Sequence, residues 1–177
     1  MVGVTEGFAS NAGTAQFIRQ SSPRIKMVDP IKVMFDTNVF SHILSGEIPI
    51  NCIPTNWEIH GTHIQKDEIN NTQDECKKKR LLRIFSQWLD ESLPTESAVW
   101  DISNWDEAKS GNDQNNLFEK ILNEMNTLKK RKNNNRDALI AETAIQNDLT
   151  LVTNDRILKK VAESNGATVI DLRKQNK

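Results

Sequence analysis

Two apolar runs in this chain end on an aspartate: Ile31-Lys32-Val33-Met34-Phe35-Asp36 near the start, and Leu149-Thr150-Leu151-Val152-Thr153-Asn154-Asp155 near the end. Short runs of β-formers read as buried strands, and the polar residues after each read as helix starts. Thr37-Asn38 is placed to cap a helix through Val39, Phe40, Ile43 and Leu44, which Gly46 ends. Trp57-Glu58-Ile59-His60 alternates like a strand, and Gly61 breaks it. Thr62-His63-Ile64-Gln65 has the form of a capping box and opens a helix holding Asp67 and Glu68. A longer helix, from about Asp74 to Leu89, carries Leu81, Leu82, Phe85 and Leu89 on one face, with Pro94 as its stop.

Further along, Ala98 to Ile102 reads as a strand, Ser103 to Asp106 as a helix start and Gly111 as part of a turn. Leu117, Phe118, Ile121, Leu122, Met125 and Leu128 mark an amphipathic helix that runs into a basic, Asn-rich loop, Lys129 to Arg136. Asp137 then opens an Ala-rich helix whose small residues allow close packing on a sheet. The chain closes with the second apolar run, a helix from Arg156 to Ser164 capped by Gly166, and a strand from Ala167 to Ile170. Alternating strands and helices predict an α/β domain, a parallel sheet flanked by helices. The functional crevice of such a sheet lies outside the carboxyl ends of its strands, so Asp36 and Asp155 are candidates to meet there.

Bulk properties narrow the function. With 177 residues the chain reads as one domain, and 23 basic against 24 acidic residues leave a net charge of -1. Nucleic-acid binding would therefore rest on local patches, not a global basic field. No apolar stretch has membrane-spanning length, which predicts no membrane association. Two cysteines without metal-ligand spacing fit a reducing, cytoplasmic setting. Residues 1–26, small, polar and acid-poor, read as a disordered extension ahead of a domain spanning 27–177. A dinucleotide fold would need a Gly-rich loop after the first strand, and none is there. A dehalogenase-type phosphohydrolase would need a second Asp where Asn38 stands. His42, His60 and His63 are not grouped as ligands, and Glu142, a turn and more after Asp137, is a candidate outer ligand that reads more readily as solvated surface.

Four acids stand at element starts or on inward faces: Asp36, Glu68, Asp137 and Asp155. Gathered carboxylates repel and stay ionised together only when cations neutralise them. Hard divalent cations such as Mg²⁺ or Mn²⁺ prefer oxygen ligands, and can activate water for in-line displacement at phosphorus. Each acid also has a plain structural role open to it, as a helix cap or a first-turn anion. Asp67 lies about 100° round the helix from Glu68 and competes with it for the second position.

Asp36-Thr37-Asn38 after a strand, Thr62 to Ile69, Arg136 to Ala144, and Val152-Thr153-Asn154-Asp155 together resemble the four acidic motifs of PIN domains, in that family's order. The resemblance covers most of 27–177. It implies a Rossmann-like sheet and a Mg²⁺- or Mn²⁺-dependent endoribonuclease, with Asp36, Glu68, Asp137 and Asp155 as metal ligands. Asn38 and Thr153 would orient the ligand carboxylates. VapC-type toxins of the family pair with an antitoxin, so a toxin role, an antitoxin partner and a homodimer are further implications. An alternative is a catalytically weak PIN-like module that binds RNA or protein.

Two basic clusters remain: Lys77 to Arg80 with Arg83, and Lys129, Lys130, Arg131 and Lys132 with Arg136. The first reads as a solvated helix face. The second adjoins Asp137 and is placed to hold RNA phosphates.

Overall fold

The computed structural model describes residues 29–97 and 116–174. Five strands, β1 (Ile31–Phe35), β2 (Trp57–Gly61), β3 (Glu91–Ser92), β4 (Thr150–Val152) and β5 (Val169–Ile170), form one sheet in the order β3-β2-β1-β4-β5. Every pairing is parallel. The helices are α1 (Thr37–Leu44), α2 (His63–Asn70), α3 (Glu75–Trp88), α4 (Leu117–Leu128), α5 (Asn134–Gln146) and α6 (Arg156–Ser164).

The central strand explains the layers. Successive side chains of β1 alternate between faces, and Val33, Met34 and Phe35 are all fully buried, as a parallel sheet covered on both sides requires. Val33 and Phe35 join Ile59 and Val152 in a core closed by Phe40 of α1 and Phe85 of α3. Met34 and Leu151 join a second core built from α4, α5 and α6. Ala138, Ala141 and Ala144 of α5 are buried there, and their small volume lets that helix lie close to β1 and β4.

Several expected boundaries shift. Gly61 is the last residue of β2, not a break. A Cβ there would come within 2.8 Å of Leu89 Cδ1 and 3.3 Å of Phe85 Cε2, so its bareness serves the close approach of α3. That helix ends at Trp88, well before Pro94, and the chain then adds β3, which has no apolar pattern to announce it. Backbone bonds hold this edge: Asp90 N–H donates to Ile59 O and Leu93 N–H to Gly61 O, both at 2.8 Å. The Asp90 carboxylate accepts in turn from Ile59 N–H at 2.8 Å. Helix α5 begins at Asn134, three residues ahead of Asp137, because the buried Asn134 amide ties that end to Asn126 Oδ1 and Lys129 O. Asp36, not Thr37 or Asn38, occupies the cap position of α1.

The extension at 1–26, the strand at 98–102, the helix start at 103–106 and the turn at Gly111 lie outside the described residues. Among the described residues no helix is long and apolar enough to cross a membrane.

Helices α5 and α6 end alike. Leu149 N–H reaches Ala144 O at 2.8 Å after Asp148, and Ala167 N–H reaches Ala162 O at 2.9 Å after Gly166. Both pivots are left-handed, φ 52 at Asp148 and φ 95 at Gly166. This is the Schellman ending, in which glycine escapes the steric cost that a Cβ brings. Asp148→Gly is expected to raise unfolding stability by up to about 1 kcal/mol, and Gly166→Ala to lower it by about as much. Denaturant titration of the two variants reads both signs.

Candidate metal centre

The carboxyl edge of the sheet gathers the site. Asp36 follows β1 directly, Asp155 follows β4 by three residues, and Glu68 and Asp137 come from α2 and the first turn of α5. The capping box at the start of α2 sets the approach of Glu68. Thr62 N–H donates to Gln65 Oε1 at 2.8 Å, and Gln65 Nε2 donates to Phe35 O at 3.1 Å, which pins the helix to the end of β1. One turn later the Glu68 carboxylate accepts a hydrogen bond from the Thr37 hydroxyl, next to Asp36 in the chain. Glu68, not Asp67, is thereby tied to the cluster.

Asp36 is the buried centre, at 1% exposure. Its Oδ2 accepts from Thr153 Oγ1 at 2.8 Å and from Asn38 Nδ2 at 3.3 Å, so both residues expected to orient a carboxylate orient this one. Thr153 Oγ1 also accepts from Asp155 N–H at 3.1 Å, which links the first acid to the fourth. Asp36 Oδ1, by contrast, is buried with no hydrogen-bond partner among the described residues. The backbone N–H of Asn38 also acts on this carboxylate, without closing a regular cap bond. An ionised oxygen left bare in a protein interior is costly, and a cation relieves that cost.

The electrostatics follow. Burial pushes Asp36 above its ordinary range; its bonds to Thr153 and Asn38 oppose this, and Asp155 adds to it. Burial likewise raises Glu68, with Thr37 and Arg136 opposing and Asp36 adding. Asp137 is pushed up to about 8, first by burial and then by the charges of Asp36, Glu68 and Asp155. Asp155 alone is lowered: burial would raise it, but the Arg131 guanidinium and the amides of Leu158 and Ile157 prevail. Its Oδ1 caps α6 through Ile157 N–H at 2.7 Å and Leu158 N–H at 3.1 Å, and its Oδ2 pairs with Arg131. The plain role as a helix cap thus holds for Asp155 and fails for Asp36, whose side chain closes no cap bond.

The basic loop divides. Lys129, Lys130 and Lys132 are exposed, whereas Arg131 and Arg136 are part-buried and act on the acids, Arg131 on Asp137 and Asp155 and Arg136 on Glu68. Nothing in the sequence distinguished Arg131 from its neighbours. Thr37 and Gln65 were also missed as positioning groups, as was Arg173, which donates to Asn154 O beside Asp155. Asn154 is 6% exposed, and its side-chain amide makes no hydrogen bond among the described residues. Glu142 is not solvated surface: it is 1% exposed and accepts from Ser97 Oγ at 2.7 Å.

All four acids offer oxygen donors, the kind a hard divalent cation prefers, and the charges of Asp36, Glu68 and Asp155 all act on Asp137.

A parallel α/β domain with an acidic cluster at the carboxyl edge of its sheet is the class that fold and site define. The resemblance carried by the four motifs has independent support, since the PIN domain family model matches residues 104–164, a span that includes Asp137 and Asp155. Among solved structures the chain is similar to FitAcB from Neisseria gonorrhoeae, at 19% identity and a TM-score of 0.49, covering 79% of this chain and 97% of that one. It is also similar to VapBC2 from Rickettsia felis bound to a DNA fragment from their promoter, at 19% identity and a TM-score of 0.46, covering 79% and 98%. No curated protein matches.

Without metal, Asp137 holds its proton more tightly folded than unfolded. The stability this contributes is complete below the ordinary value of 3.8 and is lost as the pH rises through about 8. The melting temperature in EDTA should therefore fall from about pH 5 to about pH 8 and level off above, and Asp137→Asn should flatten that fall. Millimolar Mg²⁺ or Mn²⁺ should restore the wild type at the alkaline end. Thermal melts across this range, with and without cation, check all three.

Proposed function

We propose that this chain is a divalent-cation-dependent endoribonuclease of the PIN class. The observation that carries the proposal is the buried, unpartnered Oδ1 of Asp36 in a group of acids whose charges act on one another, Asp137 feeling both Asp36 and Glu68. Acids whose proton affinity is raised by burial and then by one another's charge form a poor permanent arrangement unless a cation completes it. The family match supports nuclease chemistry, and oxygen donors favour Mg²⁺ or Mn²⁺ over zinc.

When bound, the cation supplies water activation and neutralises charge that builds on the phosphate. The chain supplies the holders and their orientation. Thr153 and Asn38 fix the Asp36 carboxylate, Thr37 fixes Glu68, and the Thr62–Gln65 box holds α2 against β1. Lys129, Lys130 and Lys132 face solvent at the connection leading to Asp137, where RNA phosphates would arrive. Water attack on the phosphodiester leaves a 3′-hydroxyl and a 5′-phosphate. An antitoxin partner and a homodimer remain implications of the family resemblance; co-purification with the product of a neighbouring small reading frame tests the first.

One observation favours a second reading. Asp155 spends both oxygens within the protein, on the α6 amides and on Arg131, as suits a PIN-like module that binds RNA or protein without turnover. A pool of end-labelled RNAs incubated with Mg²⁺ or Mn²⁺ separates the two. Nuclease action predicts cutting that EDTA and Asp36→Asn abolish, with 5′-phosphate ends. Products ending in 2′,3′-cyclic phosphate would overturn water attack, and binding without cutting by a folded chain would establish the module.

The basic loop has its own test. Replacing Lys129, Lys130 and Lys132 with Gln should weaken RNA binding and flatten the slope of log K against log salt by up to about 2, at about 0.7 per phosphate contact on a single strand. An unchanged slope would remove the loop from the RNA path. Arg131 is left in place because it belongs to Asp155.

A further inference from the structure

Outside the carboxylate cluster, the β2–β3 edge of the sheet carries a second group of metal-competent side chains. Glu58 and His60 alternate along β2 and so share one face, and the in-register partner of His60 on β3 is Glu91. Ligand atoms of these three residues all lie within 4.8 Å of one another. His60 is 2% exposed. Its Nε2 is 3.1 Å from Glu58 Oε1 and its Nδ1 is 3.4 Å from Glu91 Oε2. Neither ring nitrogen meets hydrogen-bond geometry with any partner among the described residues. A buried imidazole with a carboxylate within ion-pair distance of each ring nitrogen, and hydrogen-bond geometry to neither, is a feature that calls for an explanation.

We infer that Glu58, His60 and Glu91 form a binding site for a divalent transition-metal cation of the zinc type, which clips β3 to β2. One imidazole with two carboxylates is a borderline donor set that suits Zn²⁺ and its neighbours, not Mg²⁺. Tetrahedral ligand atoms at Zn–N and Zn–O distances sit about 3.4 Å apart, which a set already within 4.8 Å reaches by small side-chain rotations of the two glutamates. One ring nitrogen takes the ion, and the other keeps a carboxylate beside it that accepts its N–H or turns onto the metal. Glu58 and Glu91 are 24% and 58% exposed, so the ion has a path in and room for water as a further ligand. The two-residue strand β3 gives the site its purpose. Few backbone bonds hold it, and a metal shared with β2 would fasten the whole edge.

This inference does not rest on the nuclease reading, and the test keeps them separate. Zn²⁺ is titrated into the full chain while the ring nitrogens of His60 are followed by long-range ¹H–¹⁵N correlation. One His60 nitrogen should shift and saturate at one equivalent, unaffected by Mg²⁺ and unchanged in Asp36→Asn. Glu58→Gln and Glu91→Gln, both at accessible side chains, should each weaken the apparent affinity about 10- to 100-fold. His60 resonances that ignore Zn²⁺ would overturn the site, as would a shift abolished by Asp36→Asn, which would place the ion in the carboxylate cluster. An affinity unmoved in both glutamine variants would also overturn it.

Discussion

Burial of the carboxylates at the carboxyl edge of the sheet, together with their mutual repulsion, is the constraint to which the surrounding structure answers. Asp36 is buried between strand ends, and the acids from α2 and α5 are brought beside it. At neutral pH such a group must hold protons, pair with cationic side chains or take up metal. Without metal the chain uses the first two means. Asp137 is raised to about 8 and keeps its proton, while Arg131 stands against Asp155 and Arg136 beside Glu68.

Much of the fold holds this unfavourable group in place. A fully buried central strand fixes where Asp36 emerges. Thr153, at the end of the neighbouring strand, bonds both to Asp36 and to the backbone of Asp155, so the two strand ends keep a fixed spacing. Gln65 ties α2 to the last carbonyl of β1, and the alanine face of α5 lets Asp137 come close. Each contact is ordinary. Together they hold acids near one another that would separate in a looser structure, an arrangement formed in advance of any ligand.

The sequence disclosed where the acids stand better than it disclosed the contacts around them. Strand-terminal aspartates and the capping box are local signals, and Asp36, Asp155 and the start of α2 stand where those signals put them. The parallel sheet followed from alternating periodicities in the same way. Features made by tertiary contact were not legible. Strand β3 has only two residues and is defined by its pairing with β2, not by its own pattern. The early start of α5 depends on the side chain of Asn134 reaching back to α4. Arg131 looked like one cation in a row of four until folding turned it onto Asp155. His60 looked ungrouped because its neighbour Glu91 is 31 positions away in the chain and adjacent only through sheet register. Glu142 misled for a related reason, since a charged residue on an otherwise small, apolar helix is buried when that helix packs on all sides.

Exchange of protons for metal at this cluster is the central claim, and proton counting tests it most directly. Mg²⁺ or Mn²⁺ is titrated calorimetrically into the chain at pH 7 in buffers of differing ionisation enthalpy, which yields the number of protons released per ion bound. The account predicts release of about one proton, supplied by Asp137 and absent in Asp137→Asn. Binding without proton release, or release that survives that substitution, would contradict it.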